Sequence, residues 1–435
     1  MSAELVAQLT PTQFLGYERL QEDGLEIVAL LRDGRPVDRV SAGEEAIVLL
    51  DRTPFYAESG GQVGDAGELA RDGARFQVSD TLKLAGQYHA HVGVLGEGSL
   101  QRGDRVAGGV DEKRRAATVL NHSATHLLHA ALRLVLGEHV TQKGSLVAPE
   151  RLRFDFAHFQ PMNAEELARV EHLVNDEVRR NHATQIHHMG MQEALEFGAL
   201  ALFGEKYGDE VRVLRMGDGS IELCGGTHVT RTGDIGLFKI VSEGGVSAGV
   251  RRIEAVTGQG ALDHVAIEER RLDEAARLLG VSQAEIGDKL RALLDRQKRL
   301  ERELDTAKAK AASNVTSDLG ASAVDVHGVR VLAARIEGLD AKALRDALDR
   351  LKQQLRDTVI VLAGATDGKA ALVAGVGGSA TGKVKAGELL SHVAAQVNGK
   401  GGGRADMAQG GGDDGPQLLE ALANVSDWVR QRISG

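Results

Sequence analysis

Four residues in two distant segments have the types and spacing of a metal site. His122 and His126 stand four apart in a stretch rich in helix formers, residues 121–132, and residues four apart share one face of a helix. Cys224 and His228 stand four apart in Cys-Gly-Gly-Thr-His, where the two glycines allow a tight turn. A soft thiolate with imidazoles is a ligand set that suits zinc. The sequence therefore predicts one zinc site formed by these two pairs.

The ligand count leaves the purpose of the zinc open. Four protein ligands are typical of a closed structural site, whereas catalytic zinc keeps one position for water or substrate. His129 follows His126 by three residues on the same predicted helix, so it can replace a ligand or cap the site. Cys224 is the only cysteine in the chain, which removes a disulfide as an alternative.

A second polar motif lies in the segment 53–65, Thr-Pro-Phe-Tyr-Ala-Glu-Ser-Gly-Gly-Gln-Val-Gly-Asp. Its Ser59, Gln62 and Asp65 are short polar groups among glycines, which suits hydrogen bonding to a small polar substrate. The alternative is an ordinary tight turn between strands.

The elements that must position these residues indicate an α+β protein. Short β-type runs separated by glycine turns predict a β-barrel or sandwich over 1–110. Helical periodicity near 112–137 and 163–180, with strands on either side of the Cys-Gly-Gly-Thr-His turn, predicts a mixed α+β zinc-binding domain over 111–257.

The remainder divides into a helical region, 258–318, and a C-terminal α/β domain, 319–435. In the helical region we expect two helices that form an antiparallel hairpin. They break at Gly280-Val281, and a capping box joins Ser282 and Glu285. Leucines in the second helix follow a heptad spacing typical of a coiled coil.

The C-terminal domain contains a glycine-rich segment, 398–412, which we expect to be a loop between two helices. Such a loop either approaches a ligand closely or is a flexible connector. Arg404, Asp406 and Gln409 within it favour a ligand site. The last helix is expected over 416–431.

Composition limits the class of protein. The chain has 435 residues and one cysteine, which indicates a reducing compartment. No secretory segment and no apolar run of about 18 residues is visible, so we predict a soluble, cytoplasmic protein. The net charge of −10 argues against indiscriminate binding to polyanions, but a local basic face can still bind nucleic acid.

Taken together, the motifs resemble the editing half of the alanyl-tRNA synthetase family. The resemblance is carried by these segments: Thr-Pro-Phe-Tyr-Ala-Glu-Ser-Gly-Gly-Gln (53–62), His-Ser-Ala-Thr-His-Leu-Leu (122–128), Gln-Lys-Gly-Ser-Leu-Val (142–147), Arg-Leu-Arg-Phe-Asp-Phe (151–156) and Cys-Gly-Gly-Thr-His (224–228). The Gly-Gly-Gly-Arg-Ala-Asp-Met-Ala-Gln-Gly-Gly segment resembles the C-terminal domain of the same enzymes, which is related to a domain appended to DHH-type phosphoesterases. The chain is too short to hold the aminoacylation half as well, and no ATP-binding class II core is visible before residue 20.

The resemblance implies zinc-dependent hydrolysis of serine or glycine from mischarged tRNA for alanine, Ser-tRNA(Ala) and Gly-tRNA(Ala). A second, hydrolytic pocket makes physical sense, because a hydrophobic pocket separates such neighbours from alanine by only about 1–3 kcal/mol. The family's roles fall on the following residues of this chain: zinc ligands His122, His126, Cys224 and His228; catalytic Gln142 and Cys224; substrate-binding Ser59, Gly60, Gly61, Gln62 and Thr125; tRNA-binding Lys383, Lys385, Lys400 and Arg404.

Three other functions remain open from the sequence. One is a non-catalytic tRNA-binding module with structural zinc, and another is a fragment or subunit of a complete ligase that needs a separate catalytic half for ATP-dependent alanylation. The third is a generic metallohydrolase, which the ordered set of motifs disfavours. The hairpin and C-terminal domain can also form a homodimer interface, which is compatible with tRNA binding.

Overall fold

The structure, a computed structural model, describes residues 9–201, 208–366 and 368–434. The chain divides into two compact units, Met1–Glu274 and Ala275–Gly435. No helix in these described ranges is both long and apolar enough to cross a membrane.

A closed β-barrel begins the first unit. Its strands and their short neighbours are β1 Gln13–Phe14, β2 Gln21–Arg32, β3 Arg35–Val37, β4 Arg39–Ser41, β5 Glu45–Leu50, β6 Arg52–Thr53, β7 Gly67–Arg71, β8 Ala74–Leu84, β9 Tyr88–Glu97, β10 Ser99–Gln101 and β11 Arg105–Val110. Six strands follow one another in the order β11-β7-β8-β9-β5-β2, and β11 also pairs with β2, which closes the barrel. Alternate side chains such as Ala74, Phe76 and Val78 of β8 are buried in its core, as expected for strands with one buried face. The prediction of a barrel is confirmed.

The rest of the first unit is mixed α+β. Its elements are α1 Glu112–Leu136, β12 Gln142–Val147, β13 Leu152–Ala157, α2 Ala164–Arg180, β14 Thr184–Gly190, α3 Met191–Glu196, β15 Glu210–Met216, β16 Ser220–Leu223, a 3₁₀ turn Thr232–Ile235, β17 Phe238–Ser247 and β18 Val250–Thr257. An antiparallel sheet, β12-β13-β18-β17, shares a core with α1 and α2, and β14-β15-β16 form a second sheet. Asp111 caps α1 by accepting hydrogen bonds from the backbone of Lys113 and Arg114.

Two long helices follow, α4 Gly258–Leu279 and α5 Ile286–Ala321, separated by a 3₁₀ turn Gln283–Glu285. The predicted break and cap are confirmed: Gly280 has φ +65°, and the Ser282 N–H donates to the Glu285 carboxylate at 3.0 Å. The antiparallel pairing of these helices and their coiled-coil character stay predictions.

The second unit contains a six-stranded sheet with helices on both faces. The elements are β19 Val324–Val326, β20 Val329–Glu337, α6 Ala341–Gln354, β21 Thr358–Thr366, β22 Lys369–Val376, a 3₁₀ turn Gly378–Gly382, α7 Ala386–Ala395, β23 Lys400–Gly403, β24 Met407–Asp413, α8 Pro416–Ala423 and α9 Val425–Ile433. The strand order is β19-β20-β21-β22-β24-β23, and β20 and β21 are parallel because α6 connects them. One core contains α7, α8 and α9, and the other contains α6.

Two predictions in this unit are wrong in detail. The glycine-rich segment 398–412 is not a loop, because much of it forms the hairpin β23–β24. Glycine permits this packing: a Cβ on Gly399 would stand 1.9 Å from the Gly411 carbonyl oxygen. The expected single helix over 416–431 is two helices, α8 and α9, joined at Asn424.

Candidate metal centre

The two predicted ligand pairs meet. The ligand atoms of His122, His126, Cys224 and His228 all lie within 4.8 Å of one another. His122 and His126 project from the middle of α1, one helical turn apart, where the helix is buried on several sides. Cys224 and His228 lie on the loop that follows β16, which we call the metal loop (residues 224–228).

The spacing of the donor atoms fits a tetrahedral zinc ion. The Cys224 Sγ lies 3.5 Å from the His122 Nε2 and 3.4 Å from the His228 Nε2, and the Nε2 atoms of His228 and His126 are 3.2 Å apart. Around tetrahedral zinc, with Zn–N of about 2.0 Å and Zn–S of about 2.3 Å, neighbouring donors are separated by roughly 3.3–3.6 Å. The residues present therefore fit the predicted metal in both type and spacing.

Gln62 sets the orientation of the first histidine. Its side-chain Oε1 lies 2.7 Å from the His122 Nδ1 and also accepts the Thr227 backbone N–H at 3.0 Å. Its Nε2 donates to the Thr227 hydroxyl at 2.9 Å. Because the Nδ1 is engaged by an acceptor, the lone pair of the His122 Nε2 is directed at the cluster. Gln62 is fully buried, so it lies behind the ligands and holds one of them.

Glu222 performs the same task for the second histidine. Its two carboxylate oxygens lie 2.6 Å from the His126 Nδ1 and 2.8 Å from the His129 Nδ1. His129 therefore binds this carboxylate and lies outside the ligand cluster. Such carboxylate–histidine pairs fix the tautomer and increase the basicity of a metal ligand.

The charges at the cluster perturb each other strongly. Burial alone would raise the pKa of Glu222, but the His126 and His129 imidazoles outweigh it and lower that pKa to about 2. Burial opposes the Cys224 thiolate too, yet the three surrounding imidazoles hold the pKa of the thiol well below its ordinary value. For His228 burial dominates and lowers the pKa to about 3. The cluster thus favours a thiolate, a carboxylate and a neutral His228, which is the protonation state that a cation requires.

Two cavities adjoin the metal loop. Cavity A, of about 230 Å³, is lined by Ser59, Gly60, Lys83, Arg212 and the ligands His122 and Cys224, among others. Cavity B, of about 430 Å³, is lined by Tyr17, Arg19, Arg212 and the ligand His228, among others. The cluster therefore presents ligands to two separate openings.

The predicted substrate-binding residues are placed differently from one another. Ser59 and Gly60 line cavity A. Gly61 packs against β12, where a Cβ would stand 2.7 Å from the Ser145 carbonyl oxygen. The Thr125 hydroxyl is buried and donates to the Asn121 carbonyl at 2.8 Å. Gln142 is half-buried at the start of β12, and its catalytic role stays a prediction.

The predicted tRNA-binding cations lie at the surface of the second unit. Lys383, Lys385, Lys400 and Arg404 are all exposed. Lys385, Arg404 and Arg432 line a cavity of about 570 Å³ together with Glu388, which pairs with Lys385 at 3.5 Å and with Arg432 at 3.0 Å. Arg404 pairs with Asp406 at 3.5 Å.

Several site residues escaped the sequence analysis. Glu222 could have been found, because it precedes Cys224 by two residues after a β-type run, and such residues share a face of a strand. Tyr17 and Arg212 carried no local signal. Tyr17 is 208 residues from Gly225, whose carbonyl its hydroxyl contacts.

Comparisons with known proteins match three parts of the chain. Family profiles described as "tRNA synthetases class II (A)", "Threonyl and Alanyl tRNA synthetase second additional domain" and "DHHA1 domain" match residues 2–114, 211–254 and 328–431. The second of these includes Cys224 and His228.

Curated relatives match the whole chain. An alanine--tRNA ligase of Xanthomonas campestris pv. campestris is 69% identical over 433 residues, which is 100% of this chain and 49% of that protein. An alanine--tRNA ligase of Stenotrophomonas maltophilia is 70% identical over the same length and shares. The chain thus spans about half the length of these relatives. Among solved structures, the C-Ala domain of Aquifex aeolicus alanyl-tRNA synthetase is 30% identical, with a TM-score of 0.24, and the match covers 25% of this chain and 97% of that one.

Proposed function

Because this chain belongs to the alanyl-tRNA synthetase family, we propose that its first unit hydrolyses the ester of serine or glycine on tRNA for alanine, with zinc at the His122–His126–Cys224–His228 cluster. The observation that carries the proposal is that four donor atoms converge within 4.8 Å while two of the ligands face a cavity. That cavity can receive a small acyl group directly beside the metal.

A zinc ion bound here supplies a Lewis acid that polarises an ester carbonyl or lowers the pKa of a bound water. The chain's own residues do the rest. Gln62 and Glu222 keep the Nε2 atoms of His122 and His126 aimed at the cluster. Three neutral imidazoles and one thiolate leave about one positive charge on the site, which is enough to orient a carbonyl.

Cavity A suits a small polar acyl group. Ser59 and Gly60 lie at its wall, and the Tyr56 hydroxyl donates to the Ser59 carbonyl at 3.1 Å, which holds this turn in place. A wall with polar groups can select a hydroxyl that a purely apolar pocket rejects poorly. Lys83 adds an exposed cation that can face a phosphate of the tRNA 3′ end.

The test is a deacylation assay with serylated tRNA for alanine. We expect the purified chain to release serine, and we expect a chelator or Cys224→Ala to reduce the rate at least 100-fold. The control is His172→Gln, which removes an exposed histidine that pairs with Asp176 on α2, and it should retain the parent rate. Full activity in metal-free Cys224→Ala protein would refute a role for zinc in hydrolysis.

The same assay separates the alternatives. Bound zinc without hydrolysis would favour a tRNA-binding module with a structural metal. ATP-dependent alanylation that appears only when a separate catalytic half is added would favour the function of a ligase subunit.

We also propose that the second unit binds the tRNA backbone through Lys383, Lys385, Lys400 and Arg404, the last of these beside Arg432. Removing a phosphate contact should reduce the slope of log affinity against log salt by about one unit. We therefore expect Lys385→Ala and Arg404→Ala to flatten the salt dependence. The matched control is Lys342→Ala, because this exposed lysine lies on α6, on the other face of the sheet. Equal slopes in all variants would contradict this role. Homodimer formation by this unit stays a separate proposal, which sedimentation of the purified chain would test.

A further inference from the structure

The metal loop determines the geometry of the whole cluster. It carries Cys224 and His228, and it packs directly on a third ligand, since a Cβ on Gly226 would stand 2.1 Å from the His122 Cε1. The Gly226 N–H also points to the Cys224 Sγ at 3.4 Å. A shift of this loop would therefore change the distances among three of the four ligands. Gly225 and Gly226 have no side chains, so the loop must be held from outside.

Two side chains outside the ligand set hold it. The Cys224 N–H donates to the Arg212 carbonyl at 3.1 Å, and the Arg212 Nη1 donates back to the Cys224 carbonyl at 2.6 Å. The Tyr17 hydroxyl donates to the next carbonyl, that of Gly225, at 2.6 Å. We call these two side chains, of Tyr17 and Arg212, the loop clamp.

The clamp is itself a connected pair. The Arg212 guanidinium lies 4.6 Å above the centre of the Tyr17 ring, a cation–π contact. The edge of the Phe14 ring packs against Tyr17 with centroids 4.8 Å apart. Tyr17 follows β1 in the barrel segment and Arg212 lies on β15, so the clamp joins two parts of the first unit at the metal loop.

The clamp also adjoins both openings of the site. Arg212 lines cavity A and cavity B, and Tyr17 lines cavity B. Neither residue supplies a metal ligand, so any effect on the reaction acts through the position of the loop or through contact with substrate. The two effects predict different kinetics.

We propose that Tyr17 and Arg212 are positioning residues for the hydrolysis proposed above: they fix the metal loop, and with it the metal, relative to the ester. The inference rests on that proposed function. Misplacement of reacting groups by about 1 Å can cost about 100-fold in rate. Loss of one hydrogen bond to a loop carbonyl should allow part of such a shift.

The experiment compares Tyr17→Phe and Arg212→Lys with two matched controls. Tyr88→Phe removes the same kind of bond elsewhere in the barrel, because the Tyr88 hydroxyl donates to the Leu9 carbonyl at 2.9 Å. Arg215→Lys changes an arginine on the same strand that donates to the Gly217 carbonyl at 3.1 Å. Arg212→Lys keeps the positive charge, so charge alone should not rescue the reaction.

We expect each clamp variant to lower kcat for serylated tRNA about tenfold or more, with KM and zinc content unchanged. We also expect the visible absorption bands of the cobalt-substituted chain to shift in both clamp variants and in neither control. Unchanged kcat and unchanged cobalt bands would overturn the inference. So would a higher KM at constant kcat, which indicates substrate contact, or loss of the metal, which indicates a purely structural role.

Failure of the proposed function gives a different result. A parent chain that binds metal but hydrolyses nothing would overturn the hydrolysis. In that case shifted cobalt bands would still identify the clamp as the determinant of metal geometry, and unshifted bands would overturn both.

Discussion

Replacing Glu222 with glutamine should weaken zinc binding without removing a ligand. In the native chain both carboxylate oxygens act as acceptors, one for the His126 Nδ1 at 2.6 Å and one for the His129 Nδ1 at 2.8 Å. A glutamine has the same shape but only one acceptor oxygen, and its NH₂ group must face the other histidine. The pair of imidazoles can no longer both donate.

Either orientation of the amide is unfavourable for the metal site. If the NH₂ faces His126, the proton of that imidazole moves to the Nε2, which then cannot bind zinc. If it faces His129, the proton of that ring moves to the Nε2, which is buried and has no hydrogen-bond partner among the described residues. An unsatisfied buried donor costs about 1–3 kcal/mol.

The expected loss of zinc affinity is therefore about 10- to 100-fold, or about 1.4–2.7 kcal/mol, as for other partners that orient a metal-bound histidine. Competition with a chromophoric chelator measures it. Glu68→Gln serves as the control, because Glu68 is an exposed barrel carboxylate that pairs with Arg75 at 3.0 Å. A zinc affinity for Glu222→Gln within twofold of the parent would refute this account of the carboxylate.

Two further predictions concern single positions in the first unit. Gly226→Ala should lose most bound zinc, because its new Cβ would meet the His122 ring at 2.1 Å, whereas Gly225→Ala has open space and should keep the metal; equal zinc content by atomic absorption would contradict this. His91 is buried, and burial lowers its pKa to about 4, while its Nδ1 lies 2.9 Å from the Val48 carbonyl. Because the folded pKa lies below the unfolded value of about 6.5, the stability present above pH 6.5 is lost as the pH falls towards 4. The parent should lose about 2 kcal/mol more than His91→Asn between pH 7 and pH 5 in urea unfolding, and parallel pH profiles would show that His91 does not cause the loss.

The sequence was sufficient for the metal centre because its signals are local. The spacing of His122 and His126 follows from helix geometry, and the residue types of Cys224 and His228 suit the same ion. The prediction that these two segments meet is confirmed by the convergence of their ligand atoms. The ion itself stays a prediction.

The environment of the ligands was harder to predict, because it depends on contacts between distant segments. Gln62 was expected to bind substrate, but its amide is engaged by His122, 60 residues away, and by Thr227. No periodicity or local motif reports such a pairing. The glycine-rich segment 398–412 failed for another reason: glycine is usually unfavourable in strands, but here the absence of side chains allows β23 and β24 to lie close to their neighbours.

A buried ion pair at the start of α1 limits where this chain can be divided. The Arg115 Nε donates to the Asp65 carboxylate at 2.9 Å, and its other nitrogens donate to the carbonyls of Gly16 and Pro54 at 2.7 and 3.0 Å. Arg115 and Asp65 are both more than 90% buried, and a buried charge without its partner costs about 3–5 kcal/mol. A polypeptide that started at residue 111 would keep every metal ligand yet leave this guanidinium with no acceptor from the barrel. The barrel and the ligand-bearing helix are thus inseparable as a folding module, and a gene fusion or split between them would have to replace that arginine.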